Sequence, residues 1–225
     1  MGYWDSTDFS QLPFLSLIKQ NPQVGDPSPE FMKAIDFKKA FSNKPITVAE
    51  IGVGFGASAL AACLKLSEKD TYYCFDFEPS ILALLADLTK IEEVKCKIAG
   101  FGNTYRNQDS YNWNLSKLVI DMKKENRDGI FDVAYLDGAH DLARDGLAVC
   151  LLKQLVKPSG FLVLDDIMLK LGGLILQSYL DENYTQEQTE DLQLLRVQTI
   201  FLDCDSNFEK LSEPDAWRSV FRRIR

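Results

Sequence analysis

The segment VAEIGVGFGASAL, residues 48–60, places three glycines between an apolar run and a segment of helical character. The run ITVAEIG (46–52) favours a strand, and the alanine-rich residues after Gly56 favour a helix. Because glycine has no Cβ, Gly52, Gly54 and Gly56 permit a tight turn and let a ligand approach the backbone. Open α/β sheets bind ligands beyond the carboxyl ends of their strands. The segment therefore predicts an α/β fold with a ligand site at this turn.

Apolar runs alternate with helical patterns after the glycine turn. Further strands are predicted at 71–77, 94–100, 131–137 and 160–166, with helices between them. The two last apolar runs, LLRVQTIFLDC (194–204) and AWRSVFRRI (216–224), have no predicted helix between them, which favours an antiparallel pair. The pattern predicts a Rossmann-like, doubly wound α/β fold. Its sheet would be seven-stranded and mostly parallel, with an antiparallel C-terminal edge hairpin.

The chain shows no internal repeat or linker, so residues 1–225 are predicted to form a single domain. Residues 1–44 would be an N-terminal helical cover, with a helix in PEFMKAIDFKKAFS (29–42), and residues 45–225 the Rossmann-like core. A further helix is predicted near GGLILQSYLDENY (172–184). The partly apolar segment 168–176 could form a contact helix, which would suit a homo-oligomer.

The bulk composition excludes some classes of partner. The 225 residues contain 25 basic and 33 acidic side chains, a net charge of −8, which argues against nucleic acid or an anionic membrane surface as partner. The dense basic run WRSVFRRIR (217–225) is interpreted as a solvated edge. Five scattered cysteines, with no metal-ligand spacing, indicate reduced thiols, and the first residues lack the features of a signal peptide. We therefore expect a cytoplasmic protein.

Two acidic residues near the glycine turn, Glu50 and Asp76, bear on which ligand binds there. Gly52, Gly54 and Ala57 satisfy the loose dinucleotide fingerprint, and Asp76 at the end of the second strand could hold ribose hydroxyls of either a dinucleotide or a nucleoside. Glu50 favours a cationic ligand such as the ammonium and sulfonium groups of S-adenosylmethionine, since it would repel a pyrophosphate. In the alternative interpretation, Glu50 only accepts hydrogen bonds from nearby backbone amides.

Three carboxylates are predicted to meet at the same edge of the sheet. Asp137 and Asp165 each end a predicted strand, and Asp166 follows directly. Clustered carboxylates repel one another without a cation, and hard oxygen donors suit Mg²⁺ or another divalent ion. The sequence therefore predicts a metal site formed by Asp137, Asp165 and Asp166.

The single histidine, His140, lies three residues after Asp137. An imidazole titrates near neutral pH, so His140 could act as general base on a hydroxyl held beside the metal, with Asp137 also part of the catalytic group. In the alternative interpretation, DGAHD (137–141) is a surface turn in which Asp141 caps the next helix.

Together, VAEIGVGFGAS with Asp76, FDVAYLDGAHD (131–141) and PSGFLVLDD (158–166) resemble the class I S-adenosylmethionine-dependent methyltransferases. The likeness spans roughly residues 46–168. It is greater to the metal-dependent small-molecule O-methyltransferases with a D-G-x-H signature and a strand ending in D-D, which include sugar enzymes of macrolide pathways. Catechol O-methyltransferase is a more distant relative. In the sugar enzymes the second metal ligand is often Glu, and in catechol-type enzymes the third is Asn, whereas both are Asp here.

The resemblance implies a role for each matched residue. The methionine part of S-adenosylmethionine would be lined by Glu50, Gly52, Gly54, Gly56 and Ser58. Its ribose would be held by Asp76, and Phe77 would lie beside its adenine. The divalent metal would be held by Asp137, Asp165 and Asp166, and His140 would deprotonate the acceptor.

The sequence thus predicts metal-assisted O-methylation of a small-molecule hydroxyl, of a sugar or another natural-product intermediate. Three alternatives stay open: an NAD-dependent oxidoreductase, a metal-independent N-methyltransferase, and a non-catalytic binding protein on the same fold. Residues that could shape the acceptor pocket are Tyr3, Trp4, Phe9, the segment 103–113 and the stretch after Asp166.

Overall fold

The computed structural model describes residues 26–104, 106, 108–173, 177–213 and 216–225, and within them a seven-stranded sheet. The strand order is β3-β2-β1-β4-β5-β7-β6, with β1 to β5 parallel and β7 antiparallel to both β5 and β6. The strands are β1 (Thr47–Ile51), β2 (Thr71–Phe77), β3 (Lys97–Asn103), β4 (Phe131–Leu136), β5 (Val156–Leu164), β6 (Phe208–Lys210) and β7 (Ser219–Arg223). This arrangement confirms the predicted Rossmann-like fold.

Helices cover both faces of the sheet. They are α1 (Pro29–Phe41), α2 (Ala57–Lys65), α3 (Glu78–Leu88), α4 (Tyr111–Lys124), α5 (Leu142–Leu155), α6 (Gln177–Asn183), α7 (Gln186–Glu190) and α8 (Gln193–Phe201), with a 3₁₀ turn at Leu171–Gly173. Alternate strand residues point to opposite faces, so Val48 joins the core under α1, α2 and α3, whereas Ala49 joins the core under α4, α5 and α8. The central strands β1 and β4 are thus buried on both sides.

The predicted C-terminal hairpin exists, but its first strand was wrongly placed. LLRVQTIFLDC forms mainly α8 (Gln193–Phe201), and the first strand of the hairpin is Phe208–Lys210. The β-branched residues in this run suggested a strand, yet its buried side chains include Leu194 and Val197, which are three residues apart and lie on one helical face. Tertiary packing of that face against α5 therefore decides the structure. Of the parallel strands, β3 begins three residues later than predicted.

Of the segment predicted as an N-terminal cover (1–44), the structure describes the helix α1, where a helix was predicted at 29–42. Ser28 caps this helix through its side chain, and residues 1–25, including Tyr3, Trp4 and Phe9, lie outside the described residues. The predicted contact helix is wrong at 168–170, which are not helical, and 174–176 are outside the described part of the chain. Among the described residues, no helix is long and apolar enough to cross a membrane.

Candidate active site

A cavity of about 580 Å³ opens at the carboxyl end of the parallel strands. Its volume is within the usual range for small-molecule sites. All but one of the predicted site residues line it: Glu50, Gly52, Gly54, Ser58, Asp76, Phe77, Asp137, His140, Asp165 and Asp166. The exception is Gly56, which precedes the first residue of α2 with a φ of +82°. The strand order explains the convergence, because β2, β1, β4 and β5 are consecutive neighbours and end at one edge.

The glycine turn is fixed by contacts that a side chain would prevent. A Cβ on Gly52, whose φ is +83°, would overlap the carbonyl oxygen of Asp137. The Gly52 amide donates to the carbonyl of Phe75 at 2.8 Å. Gly54 has a φ of +47° and open space where a Cβ would lie. Gly52 therefore joins β1 tightly to the segment after β4, whereas Gly54 leaves room next to the cavity.

Asp76 at the end of β2 accepts hydrogen bonds from the glycine turn. Its Oδ2 accepts from the amides of Val53 at 2.8 Å and Gly54 at 3.2 Å, and its Oδ1 accepts from Phe77 N–H at 2.6 Å. The carboxylate thus holds the turn in shape while it lines the cavity. Oδ1, which accepts one hydrogen bond, has a further lone pair that a ligand hydroxyl could use.

Glu50 is buried at the floor of the cavity and accepts a hydrogen bond from the Tyr72 hydroxyl. Burial raises its pKa well above the usual range, the Tyr72 hydrogen bond opposes this, and the charges of Asp137 and Asp76 raise it further. The backbone-amide interpretation of Glu50 finds no support among its described contacts. A buried carboxyl that is costly to ionise favours a cationic partner.

Ser58, on the first turn of α2, is tied to the cover. Its Oγ accepts a hydrogen bond from Ser28 N–H at 3.1 Å, immediately before α1. The residue therefore connects the cover to the helix that follows the glycine turn. One wall of the cavity is fixed relative to α1 in this way.

The structure brings Asp137, His140 and Asp166 together. His140 Nε2 lies 3.3 Å from Asp137 Oδ1 and 3.3 Å from Asp166 Oδ2. Nε2 is buried, and the protonated imidazole forms an ion pair with each of the two carboxylates. One possible ligand atom from each residue lies within 4.8 Å of the others. His140 and Asp166 adopt left-handed backbone conformations, with φ values of +60° and +49°, to reach this arrangement.

The two carboxylates govern the charge of His140. Burial lowers the pKa of the imidazole, but Asp137 and Asp166 outweigh this and raise the pKa of His140 to about 10. At neutral pH the side chain is therefore an imidazolium that offsets part of the negative charge. It can accept a proton only when the charge of these carboxylates is offset.

Asp165 lies beside this group but has other partners. Its Oδ2 accepts a hydrogen bond from the Tyr135 hydroxyl, and its Oδ1 lies 2.7 Å from Arg218 Nε and accepts from Asp166 N–H at 2.8 Å. The side chain is almost fully buried. Burial and the charge of Asp137 raise its pKa, and Tyr135 and Arg218 oppose the rise. Asp165 is thus next to Asp137 and not part of the group around His140.

A family described as "Methyltransferase domain" matches residues 49–167, more than half of the chain and all of the site residues predicted from the sequence. The chain belongs to this methyltransferase family. No match was found among curated proteins. The family and the fold together confirm the prediction of a class I, S-adenosylmethionine-dependent type of methyltransferase, and they do not favour the NAD-dependent alternative.

Solved structures agree in fold at low sequence identity. The O-methyltransferase TomG from Streptomyces achromogenes is 13% identical, with a TM-score of 0.59 over 96% of this chain and 88% of that chain. An O-methyltransferase from Bacillus cereus is 10% identical, with a TM-score of 0.59 over 98% and 92%. The Podospora anserina methyltransferase PaMTH1 is 16% identical, with a TM-score of 0.52 over 99% of each chain.

Sequence reasoning missed two supports of this methyltransferase site. Asp145, fully buried on α5, accepts the amide of His140 at 2.7 Å and the hydroxyl of Tyr111, and so fixes the turn that carries the histidine. The pKa of Asp145 is raised to about 6, chiefly by burial.

Arg218 is the second support. The prediction of a solvated edge is wrong for this side chain, because its guanidinium forms an ion pair with Asp165. Asp141 caps α5 by accepting from Arg144 N–H at 2.7 Å, as one interpretation of the turn predicted.

Proposed function

We propose that this methyltransferase transfers a methyl group from S-adenosylmethionine to a hydroxyl of a small molecule, with the assistance of a divalent cation. The observation that carries the proposal is the group of Asp137, His140 and Asp166, with His140 Nε2 3.3 Å from both carboxylates, at the rim of the cavity next to the glycine turn. A base and two hard oxygen donors beside a cofactor pocket suit the deprotonation and alignment of a hydroxyl.

The glycine turn and the acids around it suit S-adenosylmethionine. Glu50 offers a buried carboxyl toward a cationic amino-acid part, Asp76 offers a free lone pair on Oδ1 toward a ribose hydroxyl, and Phe77 lines the same cavity. Gly52, Gly54, Gly56 and Ser58 complete the wall expected around the methionine part. TomG was solved in complex with S-adenosylmethionine, and the Bacillus cereus enzyme with S-adenosylhomocysteine, which supports the same cofactor here.

The donor set fits a divalent cation such as Mg²⁺. Asp137 and Asp166 offer carboxylate oxygens close to a buried imidazole nitrogen that has no hydrogen-bond partner. Carboxylate oxygens are the ligands that hard divalent ions such as Mg²⁺ prefer, and the imidazole nitrogen stays available as a base beside them. Asp137 and Asp166 would hold the ion, with Asp165, the third expected ligand, directly adjacent. A bound cation would lower the pKa of a hydroxyl placed against it.

The side chains of the site would carry out the proton transfer and the alignment of the acceptor. His140 Nε2 takes the hydroxyl proton, and it can do so once the charge of Asp137 and Asp166 is offset, because those charges hold its proton. Asp145 keeps the imidazole in place through the His140 amide. The cavity walls align the acceptor oxygen with the methyl group, and alignment is the larger part of catalysis in a methyl transfer.

The first experiment is a calorimetric titration of the purified protein with S-adenosylhomocysteine, with NADH as the parallel ligand. We expect binding of the first in the micromolar range and none of the second. Methyl transfer to a panel of sugar and aromatic hydroxyl compounds is then measured with Mg²⁺ and with EDTA. Activity that survives EDTA would favour the metal-independent alternative, and binding of neither ligand would remove the proposed cofactor site.

Two variants test the catalytic roles. Asp137→Asn and His140→Ala should each lower turnover by at least about a hundredfold, the usual contribution of acid–base groups, and leave the dissociation constant of S-adenosylhomocysteine within about twofold. Wild-type rates in both variants would exclude the assigned roles. Arg196→Ala is a suitable control, because Arg196 pairs with Asp191 at a distance from the cavity.

A further inference from the structure

Arg218 binds the carboxylate expected to be the second metal ligand. Its Nε lies 2.7 Å from Asp165 Oδ1, and its Nη1 lies 3.7 Å from Glu30 Oε2 on α1. The other Asp165 oxygen accepts from the Tyr135 hydroxyl. Both oxygens of Asp165 therefore have partners within the chain, whereas Asp137 and Asp166 are directed toward His140.

The register between β5 and β7 explains how Arg218, distant in sequence, reaches Asp165. β7 pairs antiparallel with β5, with Ser219 opposite Leu164. The next residue on each strand is Arg218 and Asp165, and the Ile167 amide donates to the Trp217 carbonyl at 3.1 Å to continue the pairing. The residue immediately before β7 thus brings a permanent positive charge to the rim of the active site.

From these contacts we propose that Arg218 withholds Asp165 from the divalent cation and thereby lowers the affinity of the site for that ion. Asp165 is then a counter-ion of Arg218 rather than a ligand, and the ion is held through Asp137 and Asp166. This inference rests on the proposed function, because it concerns the cation assigned there.

Arg218 and a divalent cation are both positively charged, so they compete for the carboxylate of Asp165. A guanidinium stays protonated over the whole working pH range, so Arg218 leaves Asp165 only by moving its side chain. Asp165 is 5% exposed at its side chain, where charges are weakly screened, and a cation that approached it would meet the guanidinium at short range. Tyr135 further restrains Asp165 because its hydroxyl also lies 3.2 Å from Asp137 Oδ2.

The test is the dissociation constant of Mn²⁺, measured by calorimetry on the full chain and checked by electron paramagnetic resonance of free Mn²⁺. Arg218→Met should bind Mn²⁺ about ten times more tightly than wild type, since a third carboxylate becomes available. Arg218→Lys, which keeps the charge, should stay near wild type. Asp165→Asn in the wild-type background should change the constant by about twofold or less, but should abolish the gain in the Arg218→Met background.

Arg222→Met is the matched control, because it removes an arginine charge four residues further along the same segment, from a residue on β7 that pairs with Glu209. It should not increase Mn²⁺ affinity. Loss of wild-type Mn²⁺ binding in Asp165→Asn, or no gain in a folded Arg218→Met, would overturn the inference.

Binding of S-adenosylhomocysteine is measured on every variant to separate this inference from the proposed function. If no variant binds Mn²⁺ while S-adenosylhomocysteine still binds, both the inference about Arg218 and the proposed cation site fail. The assignment of the cofactor then stands. If Mn²⁺ behaves as expected but S-adenosylhomocysteine does not bind, the role of Arg218 stands and the proposed methyl transfer fails.

Discussion

At the scale of single residues, His140 can be measured directly because it is the only histidine in the chain. Its imidazole resonance in an NMR titration of the metal-free protein should give a pKa of about 10, owing to the adjacent carboxylates of Asp137 and Asp166. In Asp137→Asn and in Asp166→Asn, the pKa should fall toward the ordinary value, because one charge is removed. Unchanged pKa values in both variants would contradict the contacts described for the site.

The same group makes stability depend on pH. The pKa of His140 is raised above its unfolded value of 6.5, so its contribution to stability is complete below about pH 6.5 and is lost as pH rises toward 10. The unfolding free energy of wild type should therefore fall across this window more steeply than that of His140→Gln. Equal slopes in urea denaturation at a series of pH values would show that the histidine is not held by the carboxylates.

Glu50 provides a second residue-scale prediction. Glu50→Gln should weaken S-adenosylmethionine binding by about tenfold, since a charge-assisted contact to a cationic ligand is lost. Binding of 5′-methylthioadenosine, which lacks the amino-acid part and its ammonium, should change by about twofold or less. An equal loss for both ligands in calorimetry would instead assign Glu50 a structural role through its hydrogen bond with Tyr72.

The sequence could predict which residues line the cavity, because strand ends in a parallel sheet share one edge. It could not predict how the carboxylates divide between partners. Asp165 and Asp166 are adjacent in sequence, yet Asp166 faces His140 and Asp165 faces Arg218. The division depends on the left-handed backbone at Asp166 and on a strand 53 residues further along, at Arg218. No local pattern of residues predicts the backbone conformation of Asp166 or the contact between Asp165 and Arg218.

At the scale of the secondary-structure elements, two glycines of one turn should respond differently to the same substitution. Gly52→Ala should lower the unfolding free energy by about 3 kcal/mol or more, because the new Cβ overlaps the backbone of Asp137. Gly54→Ala meets no atom and should cost about 1 kcal/mol for its positive φ, while it weakens S-adenosylhomocysteine binding. Urea denaturation and calorimetry measure both effects, and equal destabilisation by the two would contradict the geometry of the turn.

The elements also differ in how far sequence could determine them. The central strands β1 and β4 were predicted correctly because each is a short apolar run buried on both faces, whereas the edge strand β3 is partly exposed and begins three residues later than predicted. The run that forms α8 has equally strong strand character, and its helix follows from packing Leu194 and Val197 against the core next to α5. Propensity therefore decides the buried strands, and tertiary contacts decide the amphipathic C-terminal segments.

At the scale of the whole molecule, order in the sheet explains why residues from four separate segments form one site. β1 lies between β2 and β4, which brings Asp76 and Asp137 to either side of the glycine turn. β7 then closes the same edge from the C-terminal end and adds Arg218. The fold thus supplies Glu50 and Asp76 to the cavity from its first half, and Asp137, His140, Asp165, Asp166 and Arg218 from its second half.

The remaining whole-molecule question is whether the cover and the core unfold together. Phe31 on α1 is fully buried and stacks on Tyr135 at 4.6 Å, and Glu30 and Ser28 reach Arg218 and Ser58. Phe31→Ala should lower the unfolding free energy by about 3–5 kcal/mol, the usual cost of removing a buried phenylalanine. Phe41→Ala, in the same helix but 75% exposed, should change it by about 0.5 kcal/mol or less.

A single shifted urea transition in Phe31→Ala, seen equally by circular dichroism and tryptophan fluorescence, is expected if α1 and the core form one cooperative unit. Separate transitions, or a core transition at the wild-type urea concentration, would show that the cover unfolds independently. The first result also predicts weaker S-adenosylhomocysteine binding in Phe31→Ala, because Tyr135 connects α1 to Asp137 and Asp165 at the rim of the cavity. Stability of the cover and integrity of the site would then change together.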